Sequence, residues 1–180
     1  MPKESITQQL DVMALEQAGA TLSGQGRVGA FERLLAESAG HGADHPVTWS
    51  VSGELRNASH VQPQPWLHLR ASAILALACQ RCLDPVDSPV EVDRWFRFVE
   101  DEATAQAQDD VSEEDVLALT RELDLLALVE DEIIMEMPLV PRHETCPAPV
   151  RLSAGEDSLP DEGGLPHPFA ALGQLKSGKN

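Results

Sequence analysis

The sequence predicts an α+β fold: a central antiparallel β-sheet packed by helices on one face, then a disordered, acidic, Pro- and Gly-rich C-terminal tail. Three observations predict it. Three segments alternate apolar and polar residues with a period of two, the signature of strands with one wet face. Three others space their apolar residues as one face of an α-helix. After Pro147 the composition shifts to Pro, Gly and polar residues that cannot bury a core. A single domain over 1–146 and a flexible tail over 147–180 follow.

Taken in order, Ser5 and Gln8 fit a capping box, and Ile6, Leu10 and Met13 have helical spacing. A helix over about 5–18 is expected, ending near Gly19. The glycines of 24–29 read as a link. Phe31, Leu34, Leu35 and Ser38 share one helical stripe with Gly40 as a stop, predicting a helix over about 29–39. Strands follow over about 47–55, 66–78 and 89–99. In the first, Val47, Trp49, Val51 and Leu55 alternate with polar residues; in the second, Leu67, Leu69, Ala71, Ala73, Leu75 and Leu77; in the third, Val90, Val92, Phe96 and Phe98. The stretches 57–65 and 84–89 read as their connections. Residues 100–110 read as an acidic loop, and 116–120 fits strand or helix equally. Asp124 is a good N-cap, and Leu125, Leu128, Val129 and Ile133 place a helix over about 125–136, stopped by Pro138. In the tail, Phe169, Leu172 and Leu175 share a face, so a short docking helix near 168–176 is expected.

The chain has 180 residues with 13 Lys and Arg against 30 Asp and Glu, a formal net charge of −17. The excess is local. Residues 1–99 carry 8 basic and 11 acidic side chains, residues 100–146 carry 2 and 15, and residues 147–180 carry 3 and 4. The middle block repels a phosphate backbone and attracts a basic partner. No apolar run reaches the roughly 20 residues of a membrane helix, so no membrane partner is expected. Residues 1–10 lack the pattern of a signal peptide. Three Cys, an odd number, make no disulfide framework, so the cytoplasm is the expected compartment.

Cys79 and Cys82 stand two residues apart where the second strand should end, and His143 and Cys146 repeat that spacing after a Pro-bounded segment. Four soft N and S donors are the number a closed zinc site wants. The same residues also fit plain structural thiols with a surface His. A redox pair fits less well, because Leu83-Asp84-Pro85 is a poor helix start and a helix N-terminus is what lowers a thiol pKa. Zinc is the one cofactor the sequence raises. Glu130, Asp131, Glu132 and Glu136 crowd the last helix. They are candidates for a partner-binding acidic face, together with Phe169, Leu172 and Leu175 of the tail. They also raise a carboxylate-metal nuclease as a remoter reading. Arg70, Trp95 and Arg97 lie on outward strand positions and could form a small RNA-binding face.

As a set, these residues resemble the bacterial YceD family of large ribosomal RNA subunit accumulation proteins. The resemblance is carried by Ala78-Cys79-Gln80-Arg81-Cys82-Leu83-Asp84-Pro85, then Leu123-Asp124-Leu125 and Val129-Glu130-Asp131-Glu132-Ile133-Ile134. Met137-Pro138-Leu139-Val140-Pro141 with His143 and Cys146 follows, and last Pro168-Phe169-Ala170-Ala171-Leu172 with Leu175-Lys176. The resemblance implies a cytoplasmic ribosome biogenesis factor for synthesis, processing or stability of large-subunit (23S) ribosomal RNA, and no catalytic residues. With the charge map it favours a non-enzymatic acidic adaptor for a basic ribosomal or ribosome-assembly protein, contacting ribosomal RNA directly or indirectly. The alternative is a zinc-stabilised module that binds pre-ribosomal RNA through the Arg and Trp face.

Overall fold

The computed structural model describes residues 9–57 and 63–147, all within one unit, Met1–Ala148. In chain order the elements are β1 (Gln9–Leu10), α1 (Val12–Ala18), β2 (Thr21–Arg27), a 3-10 turn (Val28–Ala30), α2 (Glu32–Glu37), β3 (Pro46–Arg56), β4 (Gln64–Ala78), β5 (Pro85–Val99), α3 (Glu102–Asp109), β6 (Asp115–Ala118), β7 (Leu123–Asp124) and α4 (Leu125–Met135). The main sheet has the order β2-β3-β4-β5-β6, and β1 pairs with β7 in a second, two-stranded sheet. The fold is α+β, as the periodicities predict.

The alternation sets the two faces. Val47, Trp49 and Val51 of β3, Leu67, Leu69, Ala71, Ala73, Leu75 and Leu77 of β4, and Val90, Val92, Phe96 and Phe98 of β5 point into one core. Val12 and Leu15 of α1, Leu34 of α2, and Leu125, Val129 and Ile133 of α4 close it from above. Residues between them, such as Ser50, Arg70, Ser72 and Asp93, face the other way, register for register.

Several elements differ from expectation for identifiable reasons. The first helix starts at Asp11, whose carboxylate accepts from the Ala14 N–H at 3.0 Å, while Gln9 and Leu10 form a strand. Ser5 and Gln8 lie outside the described residues. The glycines expected to mark a link at 24–29 instead sit in β2, paired from Thr21↔Ser52 to Arg27↔Pro46. Gly24 is required there because a Cβ would stand 2.2 Å from the Trp49 ring. The second helix is shorter than 29–39, since a 3-10 turn occupies its expected start. Strand β5 begins at Pro85, within the expected connection 84–89. Two prolines are tolerated because β6 pairs only with Phe96–Val99, which among the described residues leaves the start of β5 unpaired on its far side. Residues 100–110 hold α3 rather than a loop, capped by Asp101 on the Thr104 N–H at 2.7 Å. The ambiguous stretch near 116–120 is β6, which runs parallel to β5 in a sheet otherwise antiparallel.

Helices α1, α2 and α4 cover the apolar face. Helix α3 does not. Arg97 shares the face of Trp95 and Asp93, and its guanidinium donates to Gln108 Oε1 at 2.7 Å and Ser112 Oγ at 2.8 Å, so α3 roofs one corner of the otherwise wet side. Among the described residues no helix is long and apolar enough to cross a membrane. The residues 168–176, including Phe169, Leu172 and Leu175, lie outside the described residues.

Helix α1 lies close on the sheet because Gly53 has no side chain. A Cβ there would stand 2.7 Å from Glu16 Cα and 2.8 Å from its N. Backbone cannot yield as a side-chain tip can. Gly53→Ala is therefore expected to destabilise the fold by about 1–3 kcal/mol, the usual cost of overpacking. Urea denaturation measures it. Ser52→Ala, on the opposite face, should change stability by less than about 0.5 kcal/mol.

Candidate functional site

The six-residue turn between β4 and β5 carries the Cys pair. The Cys79 N–H donates to Asp84 O and the Leu83 N–H to Cys79 O, both at 2.9 Å, with Leu83 at φ 66°. The segment after α4 returns to this turn: the Gln80 N–H donates to Pro141 O at 2.8 Å. That bond delivers His143 and Cys146. Donor atoms of Cys79, Cys82, His143 and Cys146 all lie within 4.8 Å of one another, with Cys79 buried and the others half-buried.

The histidine is oriented for ligation. His143 Nε2 lies 3.1 Å from Pro85 O. A carbonyl only accepts, so Nε2 carries a proton, and Nδ1 is the nitrogen left to face the three sulfurs. Nδ1 lies 3.4 Å from Cys82 Sγ. A carbonyl behind the ring is the support that metal-bound histidines usually have. Burial pushes the Cys79 thiol up, but N–H groups of His143, Cys82 and Arg81 aimed at its sulfur, with the His143 side chain, bring it down to about 5. Burial and the neighbouring Cys79 and Cys146 thiols push Cys82 up to about 11, against the Asp84 N–H. Three sulfurs and one imidazole are soft donors in a number that fills a tetrahedral zinc shell. The expected quartet is thus brought together in full.

The acidic candidates on α4 are placed differently from expectation. Glu130 turns inward: Oε1 accepts from the Arg33 and Leu34 N–H groups at 2.8 and 3.1 Å, and Oε2 pairs with Arg33 Nε at 3.1 Å. Asp131 binds the same guanidinium through Nη1. Glu132 is buried beside Arg94, Oε2 to Nε at 3.4 Å, and Arg94 also holds Asp115 at 3.2 Å. Burial pushes the Glu132 carboxyl up, opposed by Arg94. Of the four, Glu136 alone is exposed without an ion pair among the described residues. The expected partner-facing surface is corrected here: three of its carboxylates tie α4 to α2 and the sheet. They also fail to converge, so among the described residues they form no metal-holding cluster.

The expected Arg and Trp face is corrected too. Arg97 is held under α3, and Arg70 pairs with Asp93 at 3.1 Å. Trp95 instead joins residues the periodicity did not single out. The His68 ring stacks on it with centroids 4.1 Å apart, and the Arg56 guanidinium lies 4.0 Å above Trp66 and 4.3 Å above Trp95. His68 Nε2 lies 2.6 Å from Asp93 Oδ1; with Arg70 it holds that carboxyl below its usual range. Strand register alone could have gathered them, since Trp66, His68 and Arg70 stand opposite Arg97, Trp95 and Asp93.

Two outcomes follow. Protein purified without chelator should carry about one zinc per chain, and Cys79→Ser or Cys146→Ser should remove most of it. Elemental analysis reads this, and wild-type content below about 0.2 per chain would reject the centre. The second concerns Glu132. Its folded-state pKa is raised, so its contribution favours folding below the unfolded value and is lost as pH rises through the folded one. Glu132→Gln should flatten that loss and be neutral to stabilising near pH 7 in urea denaturation, whereas Glu130→Gln should destabilise.

No solved structure matches the chain. A protein of Haemophilus influenzae, the large ribosomal RNA subunit accumulation protein YceD, is 33% identical over 125 residues, covering 65% of this chain and 70% of its own. The family model of that same description matches residues 67–176, from β4 through the Cys turn and the acidic helix into the C-terminal region. The chain belongs to the YceD family.

Proposed function

We propose that this protein supports accumulation of large-subunit ribosomal RNA as a non-enzymatic acidic adaptor that binds a basic ribosomal or ribosome-assembly protein. The name of the Haemophilus influenzae relative supports the RNA. The adaptor reading rests on one observation around α3. Glu100, Asp101, Glu102, Asp109, Asp110, Glu113 and Glu114 are all exposed, and among the described residues none has a cationic partner. Such a surface steers a cationic protein and speeds its encounter. The Cys and His quartet braces the scaffold in this reading. Four protein donors leave a zinc ion no open position for water, so the site is structural.

A second reading, direct binding of pre-ribosomal RNA by a zinc-stabilised module, draws on Arg56, Trp66, His68 and Trp95. Trp66 is buried beneath, and Arg56 with Trp95 behind it offers a cation backed by an aromatic, one element of single-stranded nucleic-acid grooves.

Capture from lysate at about 50 mM and about 500 mM salt separates them. The adaptor should retain a basic ribosomal or assembly protein at low salt, survive nuclease treatment, release it at high salt, and lose most of it in Glu113→Lys/Glu114→Lys. Retaining none at low salt overturns it. Purified ribosomal RNA bound with a steep salt slope, and lost in Arg56→Glu, would favour the second reading.

A further inference from the structure

The main sheet has two edges, and they are protected differently. Strand β6 is four residues long and α3 packs beside it. Strand β2 is seven residues long and pairs with β3 alone. Among the described residues nothing pairs with its outer edge, and such an edge is the usual template for an added strand. Of the common guards, Thr21–Arg27 has no Pro and no Lys, and its one charge, Arg27, stands at the end of the strand and pairs with Asp44.

Beside this edge lies a cleft of ≈ 560 Å³ between β2, α2 and α4. Phe31, Trp49, Leu126 and Ala127 form its apolar walls. Gly24 and Gly26 lie at its floor, where the absence of a side chain lets the Trp49 and Phe31 rings settle onto β2. The volume suits one large side chain or a small group of them. Glu32, Asp124 and Glu130 stand around it with one cation, Arg33, which Glu130 and Asp131 already bind. The surroundings are therefore net acidic.

We propose that β2 accepts an extended, basic segment of a partner protein as a sixth strand. Its backbone completes the open edge. Alternate side chains point to opposite faces, so one apolar residue enters the cleft while Lys or Arg two residues to either side, on the same face, meet Glu32 and Asp124. The inference deepens the adaptor reading and rests on it for the partner's charge.

The probe is a labelled nine-residue peptide alternating Lys with Val, with Leu at its centre, titrated against the full chain by fluorescence anisotropy. Binding in the micromolar range is expected. Replacing its Lys by Glu should weaken it at least about tenfold. N-methylation of one alternate set of amides should abolish binding and of the other set should leave it, because only one side of an added strand donates to the edge. Ala30→Trp, which fills the cleft from an exposed position, should weaken binding at least about tenfold with an unchanged circular dichroism spectrum. Gln25→Lys, exposed on the edge itself, provides an independent variant and should also weaken it. No binding up to about 1 mM, equal binding of both methylated peptides, or indifference to Ala30→Trp and Gln25→Lys would each overturn the proposal. So would self-association through β2 in sedimentation, which would assign the edge to a second copy. The two readings fail separately. A lysate that yields no basic partner removes the adaptor but leaves peptide binding, and a silent peptide leaves charge-driven capture at α3.

Discussion

The antiparallel ladder between β4 and β5 is the constraint on which the rest depends. It runs unbroken from Trp66↔Arg97 to Ala78↔Pro85. Because side chains alternate strictly, this register decides at once which residues enter the core and which face water. A slip of β5 by one residue would bury Glu91 and Asp93 and expose Val90 and Val92. The same register sets the length of the connection at its end. Six residues remain between the strands, and they hold Cys79 and Cys82 in a turn closed by the Cys79 and Leu83 amides. The metal-type cluster is thus a consequence of strand pairing as much as of Cys spacing.

Charge in this protein has two populations that composition cannot separate. Helix α4 carries acids that face inward onto Arg33 and Arg94. Pairs whose guanidiniums stay half-exposed contribute little net stability, because solvent screening and the ordering of long side chains offset their attraction. Their value is positional, since two guanidiniums fix where α4 lies on α2 and on β5. The acids around α3 have no such partners. Free negative charge is therefore displayed around α3 and little of it on α4, although the two stretches look alike in sequence.

The long strands were legible because period two is dictated by the pleat, and α4 because a capping Asp precedes an apolar stripe. Strand β2 was hidden by its own packing: Gly24 reads as a loop residue, yet it is there because the Trp49 ring lies on it. Helix α3 was hidden because an acidic, Ala- and Gln-rich stretch has almost no apolar face, and its start depends on one carboxylate, Asp101. That omission had a consequence at the candidate site. With α3 taken as a loop, Arg97 looked free for RNA; with α3 in place, Gln108 and Ser112 occupy it. His68 and Arg56 were invisible for another reason. Only register, not spacing along the chain, brings them onto Trp95. The Cys and His quartet was legible because each half repeats the same two-residue gap, and a chain returning across the sheet's end can join them.

The position of that quartet argues for what it does. In a zinc finger the metal is the core, and the chain without it is unfolded. Here the core is built elsewhere, by β3, β4, β5 and three helices, and none of the four donors belongs to it. Even without an ion, Gln80 holds Pro141 and His143 holds Pro85. An ion at this place would act as a local clip. It would fix the segment after α4 against the β4–β5 turn and leave the stability of the sheet nearly unchanged. Loss of the metal would then leave those two bonds alone to hold the segment, without unfolding the domain, and that separation follows from where the strands end.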